Sequence, residues 1–509
     1  MKKTLFCTSI ISTYVWGIIA HAYCFLHDTY SHDSMSTIYA TAGEDLWKIK
    51  LGRYIAPLVR QMTVGRLCLP WLAGIISLFL IALAVYGICC ILSISSPAVT
   101  VLTAGIMVTN ITITATAATF LYELSIDMTA LVFAVITVYI WYFKDKWAFF
   151  SAVFVFLTLG LYQSYISVTI TLMIMVSIQD ILLHKELKCI ICKGLKGIGV
   201  IIIGSILYFA VLLLIIKIGN IDIRTNTYNG VYNIKMITAS SIVKRIPGLY
   251  YSWLHSYLKN QSVFPWQFIA TVNIMIFAIS LYIIGGILHQ ADDFRAKILG
   301  VVLCALLPLG MNASYLFSGI WSHELMRYAF CLPIVFCLSL TSIRKTCFKI
   351  TDERLIKHCA FILVLVILIA NVRTANTAYL KKEFEKRATI SVMNRVQSAL
   401  EQRADYIYGD TKVVFVGAPR FEMRGFDSLK NVTGLSINSV FSNDTLVQSE
   451  YHPYRAYYEY YMGDLDVLAD DETWIRICKD EAVKNMTNFP NAGSMKLINN
   501  VMVVKLGDI

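Results

Sequence analysis

The sequence predicts a polytopic α-helical membrane protein that carries a small α/β domain at its C-terminal end. First, the 509 residues are 57% hydrophobic and only 15% charged, with a mean hydropathy of +0.63, whereas soluble proteins are about 25% charged. Second, eleven apolar runs are long enough, or nearly so, to cross a hydrocarbon core as helices of about 20 residues. Third, 35 of the last 137 residues are charged, which is typical of a soluble domain.

The eleven apolar runs all lie in the first 372 residues. Each is predicted to form a helix, because a bilayer offers no water to pair with backbone groups and a helix pairs them internally. The runs cover approximately residues 5–25, 69–94, 98–122, 128–143, 147–161, 164–183, 198–218, 268–289, 298–317, 325–343 and 356–372.

Charge predicts the orientation of these spans. Lys2 and Lys3 precede the first run, which lacks a small-residue cleavage site and is therefore expected to be a retained anchor with a cytoplasmic N-terminus. Alternation then places the short basic loops inside, and the long loops 27–68 and 219–267 outside together with residues 373–509. The first 372 residues hold 27 of the 44 basic residues but only 15 of the 33 acidic ones, as a positive-inside membrane region requires.

The fifth and sixth runs form one nearly uncharged stretch, residues 147–183, that is broken at Gly160 and at Tyr162-Gln163-Ser164. Two interpretations stay open: two short helices, or one span followed by a re-entrant segment. Non-helical backbone at membrane depth is tolerated only where protein or a wet cavity satisfies it. Both interpretations therefore predict that the break lines a cavity.

The tail, residues 373–509, has the patterns of a small α/β domain. Residues 374–404 have apolar side chains at helix spacing, and residues 412–416 and 495–504 have the composition of strands. Turn residues such as Gly417-Ala418-Pro419 separate these elements. The tail is large enough to hold its own core.

Two classes of function are excluded by composition. Nucleic-acid binding requires a basic stripe on a polar domain, whereas here the basic excess is spread over short loops of an apolar chain. A structural zinc needs four ligands, and the single Cys-x-x-Cys, Cys189 with Cys192, has neither a second pair nor a nearby His. The sequence predicts no nucleic-acid partner, no metal site and no cofactor.

Carboxylates and arginines gather in three loops that alternation places outside. An ionisable side chain in lipid is costly unless it has a partner or faces a cavity, so such residues at span ends are candidates for a site. Sugar transfer from a phosphate-linked lipid needs a general base for the acceptor hydroxyl and cations for the departing phosphate. The candidates are Asp28, Asp33, Arg53 and Arg60 in the first loop, Glu123 and Asp127 in the second, Tyr162 and Gln163 at the break, and Glu324 and Arg327 before the tenth run.

Each candidate also has a purely structural interpretation. Asp127 fits a helix cap, and Glu324 with Arg327 fits a local ion pair three residues apart. The arginines of the first loop fit contacts with lipid head groups, and tyrosines near span ends fit interfacial anchors. The residues alone leave these alternatives open.

Several short motifs recur in a familiar order along the chain. They are Asp33 and then Gly52-Arg53-Tyr54 in a long first external loop, Ile126-Asp127-Met128 opening the fourth run, and Gly160-Leu161-Tyr162-Gln163-Ser164. This order resembles the Gtr-type O-antigen glucosyltransferases, which are serotype-converting, often prophage-borne membrane enzymes of enteric bacteria with a GT-C-type architecture. The resemblance covers most of the membrane region, and the tail also looks like theirs.

The resemblance implies a GT-C-like catalytic region at residues 1–372 and a periplasmic α/β domain at residues 373–509. It implies transfer of glucose from undecaprenyl phosphate glucose to a sugar of the lipid-linked O-antigen, on the periplasmic face of the bacterial inner membrane. Besides membrane lipid, the implied partners are a small flippase that turns the donor over and a synthase that makes it.

The resemblance also implies roles for the candidate residues. In GT-C enzymes the first external loop supplies the base, so this role is carried over to Asp33. Many relatives have a paired Asp-Asp where this chain has His32-Asp33-Ser34, which leaves Asp28 as a rival. Arg53 or Arg60 would bind the phosphate, and the remaining candidates would line the site. The monophosphate leaving group and the lack of an Asp-x-Asp in residues 1–372 predict a metal-independent reaction, which we expect to be inverting.

Two other functions stay open at this point. One is a transporter or flippase of lipid-linked sugars, although such proteins show symmetric halves with interrupted helices. The other is an O-antigen polymerase, which would change O-chain length rather than decorate the chain. The acceptor sugar is not predicted.

Overall fold

The computed structural model describes most of the chain, and helices dominate it. The break after the fifth run and the candidate residues of the second loop fall within the described part, as does most of the first loop. The described residues are 2–28, 30–35, 37–222, 239–259, 262–291, 293–318, 323–343, 350–419, 421, 423–431, 452–463 and 467–508.

Residues before the tail form seventeen α-helices within the described ranges. Two of them begin at a proline, Pro70 and Pro97, which suits the first helical position because its missing N–H would have no partner there. The helices are α1 Lys2–Leu26, α2 His32–Met35, α3 Ala42–Lys50, α4 Ala56–Thr63, α5 Pro70–Ile91, α6 Pro97–Thr109, α7 Ile111–Thr119, α8 Leu124–Phe143, α9 Ala152–Leu161, α10 Ile166–Leu182, α11 Leu187–Ile218, α12 Ala239–Leu258, α13 Trp266–Gln290, α14 Phe294–Met311, α15 Ala313–Ser318, α16 Leu332–Leu340 and α17 Ile350–Glu401.

Nine helices of the described part are long and apolar enough to cross a membrane: α1, α5, α6 with α7, α8, α10, α11, α13, α14 and α17. These correspond to nine of the eleven predicted runs, so the polytopic helical fold is confirmed. The other two runs, 147–161 and 325–343, form the shorter helices α9 and α16. The break at residues 162–165 separates α9 from α10, which agrees with two helices.

The tenth run is short because the turn before it lies alongside the middle of the third span. The Thr112 hydroxyl donates to the Glu324 carbonyl at 2.8 Å, and the Tyr328 hydroxyl donates to the Met107 carbonyl at 2.8 Å. Two 3₁₀ turns, Glu324–Met326 and Tyr328–Cys331, therefore lead into α16 from within the helix bundle. Asn110 caps α7 at the same level and breaks the third span there.

The helices share one large hydrophobic core, in which α1, α5, α6 and α8 pack together. A buried polar contact fixes α1 in this core. His21 lies between the Val108 carbonyl of α6 and the Tyr379 hydroxyl of α17, at 2.8 Å from each. Because a carbonyl only accepts, the Nε2 atom of His21 carries the proton, and Nδ1 of the neutral ring accepts from Tyr379.

The helix α17 runs without a break from the last predicted span into the tail. Its 52 residues span about 78 Å. The predicted division at residues 372 and 373 falls inside it, because the sequence becomes polar there but contains no glycine or proline that would end a helix. The helix predicted for residues 374–404 is thus the second half of α17.

The tail contains a three-stranded sheet in the order β1-β3-β2, with β1 parallel and β2 antiparallel to the central strand. The prediction of one strand over residues 495–504 was wrong, because Asn499 and Asn500 adopt left-handed φ values of 52° and 62° and turn the chain into a hairpin. The elements are β1 Lys412–Val416, α18 His452–Tyr457, α19 Asp471–Cys478, α20 Glu481–Lys484, β2 Met495–Ile498 and β3 Val501–Lys505.

A second hydrophobic core fills the tail, and the first loop contributes to it. Met35 and Ile38 are buried among the sheet and helix residues of the tail. The described part of the tail therefore does not form its core alone.

Candidate active site

Two buried carboxyl groups lie at the start of the fourth span. A 3₁₀ turn, Leu121–Glu123, leads directly into α8 and places Glu123 one helical turn before Asp127. Both side chains are almost completely buried, with 5% and 4% exposed. Two acids four residues apart on a helix repel each other, so the site needs cations nearby.

The helix α3 of the first loop supplies the first cation. The Nζ atom of Lys48 lies 2.5 Å from Oε1 of Glu123 and 3.4 Å from Oε1 of Glu44. Lys48 is itself buried, so this ion pair is shielded from solvent. Removing Glu123 would leave buried Lys48 with only the more distant Glu44 carboxylate as a partner.

Arg53 supplies the second cation. Its guanidinium carbon lies 4.0 Å from the centroid of the Tyr162 ring, and Glu123 and Asp127 interact with it electrostatically. Burial by itself lowers the pKa of Arg53, but Tyr162 and the two acids more than offset this and hold the pKa above its ordinary value. The Nε–H group is buried and donates to no acceptor among the described residues.

The break between α9 and α10 packs against Arg53 and the residues next to it. The Ile55 amide donates to the Gly160 carbonyl at 3.0 Å, and the Gln163 side-chain amide donates to the Leu51 carbonyl at 2.9 Å. The backbones approach so closely that a Cβ atom on Gly160 would lie 2.6 Å from Cδ1 of Ile55. The two sequence motifs around residues 53 and 162 are therefore the two halves of one contact.

Tyr208 of α11 closes this contact from the other side. Its hydroxyl accepts from Gln163 at 3.0 Å and donates to the Gly52 carbonyl at 3.1 Å, and its own carbonyl accepts from the Tyr54 hydroxyl at 3.1 Å. Gly52 adopts a left-handed φ of 79°, which a residue with a side chain rarely adopts. Gln163 thus orients the backbone that carries Arg53.

Asp127 is the unpaired acid of the cluster. It makes no hydrogen bond or ion pair with another described residue, although Arg53 and Lys48 act on it electrostatically. The neighbouring Tyr165 hydroxyl is also buried and has no hydrogen-bond partner in the described part of the chain. Buried polar groups are normally hydrogen-bonded, so this set of groups is a candidate ligand site.

Arg60 lies at the edge of the cluster, where it acts electrostatically on Glu123. Its buried guanidinium pairs with Asp45, whose other oxygen lies 3.9 Å from Arg66. The charge of Arg60 is therefore already compensated within the first loop. Arg53 is the better placed of the two arginines for an incoming phosphate.

The two acids predicted as base candidates lie elsewhere in the first loop. Asp28 is half exposed and forms an ion pair with Lys386 of α17. Asp33 belongs to the short helix α2, but its side chain falls outside the described residues. Among the described residues, Asp28 makes no hydrogen bond or ion pair with Glu123 or Asp127.

Glu324 and Arg327 form the local ion pair that their spacing predicts, with Nη1 of Arg327 3.8 Å from Oε1 of Glu324. Both are buried against the start of α7, whereas Glu123 follows the end of that helix. A row of tyrosines links the two places: the ring of Tyr165 lies 5.6 Å from that of Tyr328 and 5.7 Å from that of Tyr162. These two residues are thus neighbours of the cluster rather than members of it.

The arrangement suits a reaction that moves a group from a phosphate to a hydroxyl. A guanidinium binds phosphate through two parallel hydrogen bonds, and a buried carboxyl group can bind or deprotonate hydroxyl groups. Among the described residues, no group of three or more His, Cys, Asp or Glu side chains is placed to hold a metal ion. The described residues of the site supply the guanidinium of Arg53, the ammonium group of Lys48, the two acids and the tyrosine hydroxyls.

Sequence reasoning missed three residues of this site. Lys48 has the spacing of an ordinary helix-surface pair with Glu44, Tyr165 ends the 3₁₀ turn at the break, and Tyr208 lies within the apolar helix α11. A tyrosine isolated in a run of aliphatic residues was the available indication for Tyr208, because its hydroxyl needs a partner when buried.

Comparison with known proteins gives one match. Residues 22–334 match the sequence model of the family described as Glucosyl transferase GtrII. The matched range covers more than half of the 509 residues and contains every residue of the cluster described above. No curated protein and no solved structure matches the chain.

Proposed function

Because this chain belongs to the glucosyl transferase GtrII family, we propose that it transfers glucose from undecaprenyl phosphate glucose to a sugar of the lipid-linked O-antigen. Family membership makes the chain a glucosyltransferase, as the resemblance of its motifs implied. The polyprenyl-linked donor, the O-antigen acceptor and the resulting serotype conversion are our proposal.

The observation that carries the proposal is one cluster that contains the Arg53 guanidinium, whose buried Nε atom has no hydrogen-bond partner among the described residues, and the buried Asp127 carboxyl group. A glycosyl phosphate offers matching chemistry, since its phosphate suits a guanidinium and its sugar hydroxyls suit a carboxyl group. Tyr162, on which Arg53 stacks, holds the guanidinium in place for this role.

The proposed reaction is a single displacement that inverts the configuration at the sugar. The acceptor oxygen forms a bond to the anomeric carbon, while the bond from that carbon to the phosphate oxygen breaks and its electron pair stays on the phosphate. Arg53 stabilises the negative charge that develops there. The acceptor hydroxyl gives its proton to a carboxylate of the first external loop, for which we propose Asp33. The proposed reaction requires no metal or cofactor.

The proposed site lies at the periplasmic face of the bacterial inner membrane. Lysines and arginines in the short loops support a cytoplasmic N-terminus, which puts the first loop and the tail in the periplasm. Residues 1–372 would then be the GT-C-like catalytic region and residues 373–509 the periplasmic domain. A lipid-linked donor reaches that face only after a flippase turns it over, so a flippase and a donor synthase are the proposed partners.

The test compares the O-antigen of cells that supply the donor pathway and carry either the intact chain or a variant at matched protein level. We expect glucose in a new linkage with the intact chain and its loss with Asp33→Asn. Arg295→Gln is the matched control, because Arg295 is exposed at the start of α14, outside the cluster. Sugar composition and linkage analysis give the result.

Each of the other outcomes would support a different conclusion. Added glucose in the Asp33→Asn cells would keep the reaction and reject Asp33 as the base. A changed O-chain length without added glucose would support a polymerase. No change of either kind with the intact chain would contradict the proposed reaction and favour transport.

A further inference from the structure

The first external loop is attached to the tail through Asp28. One oxygen of its carboxylate pairs with the Nζ atom of Lys386, and the other accepts from the Tyr461 hydroxyl at 3.0 Å. Burial and the Asp28 charge raise the pKa of Tyr461, so its hydroxyl keeps the proton that it donates. We call these three residues the loop clamp. Both oxygens of Asp28 are thus occupied by groups of α17 and of the tail.

The chain that follows Asp28 is anchored twice more. The Ser31 hydroxyl donates to the Thr119 carbonyl at 3.1 Å, at the end of α7 and just before the turn that carries Glu123. Met35 and Ile38 are buried in the core of the tail, where α2 packs against α18. The helix α2, which contains Asp33, lies between these anchors.

The helix α17 also contacts the end of α7, which leads into the turn that carries Glu123. Lys382 is buried and donates to the Ala118 carbonyl in the last turn of α7. A lysine at a helix C-terminus satisfies a carbonyl that has no partner within the helix. The helix α17 therefore contacts both Asp28, in the segment before α2, through Lys386, and the end of α7 through Lys382.

These contacts explain why the first loop and the tail share a core. Residue 28 lies 358 positions from residue 386 and 433 positions from residue 461, so the clamp joins distant parts of the chain. A loop free to move would spend most of its time with α2 away from the turn that carries Glu123. The clamp restricts it to one position.

We propose that Asp28 is a positioning residue: with Lys386 and Tyr461 it fastens the first external loop to the tail, so that α2 is held beside the Glu123 turn during glucosyl transfer. This inference rests on the proposed function for its activity readout. It assigns to Asp28 the role of an anchor instead of the base, and it gives the tail a part in catalysis through the loop that it holds.

The first experiment exchanges the charges of the clamp. Asp28→Lys and Lys386→Asp, each alone, place like charges together and are expected to lower the turnover number for glucose transfer about tenfold or more. The double variant restores an ion pair and is expected to return within about threefold of the intact protein. The donor KM stays unchanged throughout, because Arg53 and Tyr162 are untouched. Arg395→Ala, an exposed arginine farther along α17, is the control.

The exchange separates an anchor from a base. If Asp28 were the base, the double variant would be as inactive as Asp28→Lys, because no carboxylate remains at position 28. That result would overturn the proposal, as would full activity of Asp28→Ala. Recovery of the double variant supports the clamp.

A second experiment does not depend on enzyme activity. Hydrogen–deuterium exchange of residues 30–41 is measured in the intact protein, in Asp28→Ala and in Arg395→Ala. We expect faster exchange at these residues in Asp28→Ala only, by about tenfold at the protected amides. Unchanged exchange in Asp28→Ala would overturn the clamp even if the intact chain transfers no glucose, so the two proposals fail separately.

Discussion

Gly160→Ala tests whether the contact between the two motifs positions Arg53. An added Cβ atom would lie 2.6 Å from Cδ1 and 2.8 Å from Cγ1 of Ile55. Ordinary contact begins near 3.4 Å, so Ile55 must move away by about 0.8 Å. Ile55 lies two residues after Arg53, and its amide is bonded to residue 160 itself. The displacement is therefore expected to reach Arg53.

The expected effect on activity exceeds the effect on stability. Overpacking typically costs about 1–3 kcal/mol, of which alanine recovers roughly 0.5–1 kcal/mol through its helix propensity. A misplacement of about 1 Å can cost on the order of 100-fold in rate. We expect glucose transfer by Gly160→Ala to fall about 10- to 100-fold, while its half-life at elevated temperature in detergent changes only modestly.

Two further variants make the test specific. Ile55→Ala removes both atoms that the new methyl group would meet, so Gly160→Ala with Ile55→Ala is expected to be more active than Gly160→Ala alone. Gly285→Ala is the control, because a Cβ atom there would meet nothing within 4 Å. Wild-type activity of Gly160→Ala, or no recovery in the double variant, would refute the reasoning.

Three other predictions follow from the same cluster. Tyr208→Phe leaves the Gly52 carbonyl and one Gln163 donor without a partner, so the free energy of unfolding should fall by about 1–3 kcal/mol. The thermal half-life should shorten, and an unchanged half-life would contradict this prediction. Glu123→Gln leaves buried Lys48 with only the Glu44 carboxylate at 3.4 Å, so the free energy of unfolding should fall by about 3 kcal/mol. Lys48→Met with Glu123→Leu should regain stability without regaining activity. EDTA should leave glucose transfer unchanged, and recovery of lost activity by a divalent ion would contradict a metal-independent reaction.

The sequence was sufficient to predict most of the helices and strands but not the contacts between them. Apolar length alone located nine spans, since a bilayer imposes the same length on every helix that crosses it. The shorter α16 was less predictable, because its length depends on how deep the preceding turn lies against α7. A linear pattern contains no measure of that depth.

The site shows the same limit at the level of single residues. The motifs around Arg53 and Tyr162 could be picked out from the sequence, but their contact depends on the packing of helices about 100 residues apart. Lys48 was missed because its spacing from Glu44 already explained it, while its partner Glu123 comes from another loop. Long-range ion pairs of this kind are visible only in the folded chain.

The two clearest differences between the sequence-based prediction and the structure lie in the tail. The change to a polar sequence near residue 373 predicted a domain boundary, but polarity does not end a helix, and α17 continues to Glu401. The dipeptide Asn499-Asn500 is a weaker hairpin motif than Asn-Gly, although asparagine tolerates the left-handed conformation that both positions adopt. Turn chemistry therefore decided between one strand and two.

The most direct test of the account is the donor dependence of Arg53. Purified protein in membranes is supplied with undecaprenyl phosphate glucose and a lipid-linked O-antigen acceptor, and the donor KM is compared between the intact chain and Arg53→Lys. Lysine keeps the charge but loses both the paired hydrogen bonds and the stacking on Tyr162, so we predict a KM at least about tenfold higher. An unchanged KM, or transfer from a nucleotide sugar in place of the lipid donor, would contradict the account.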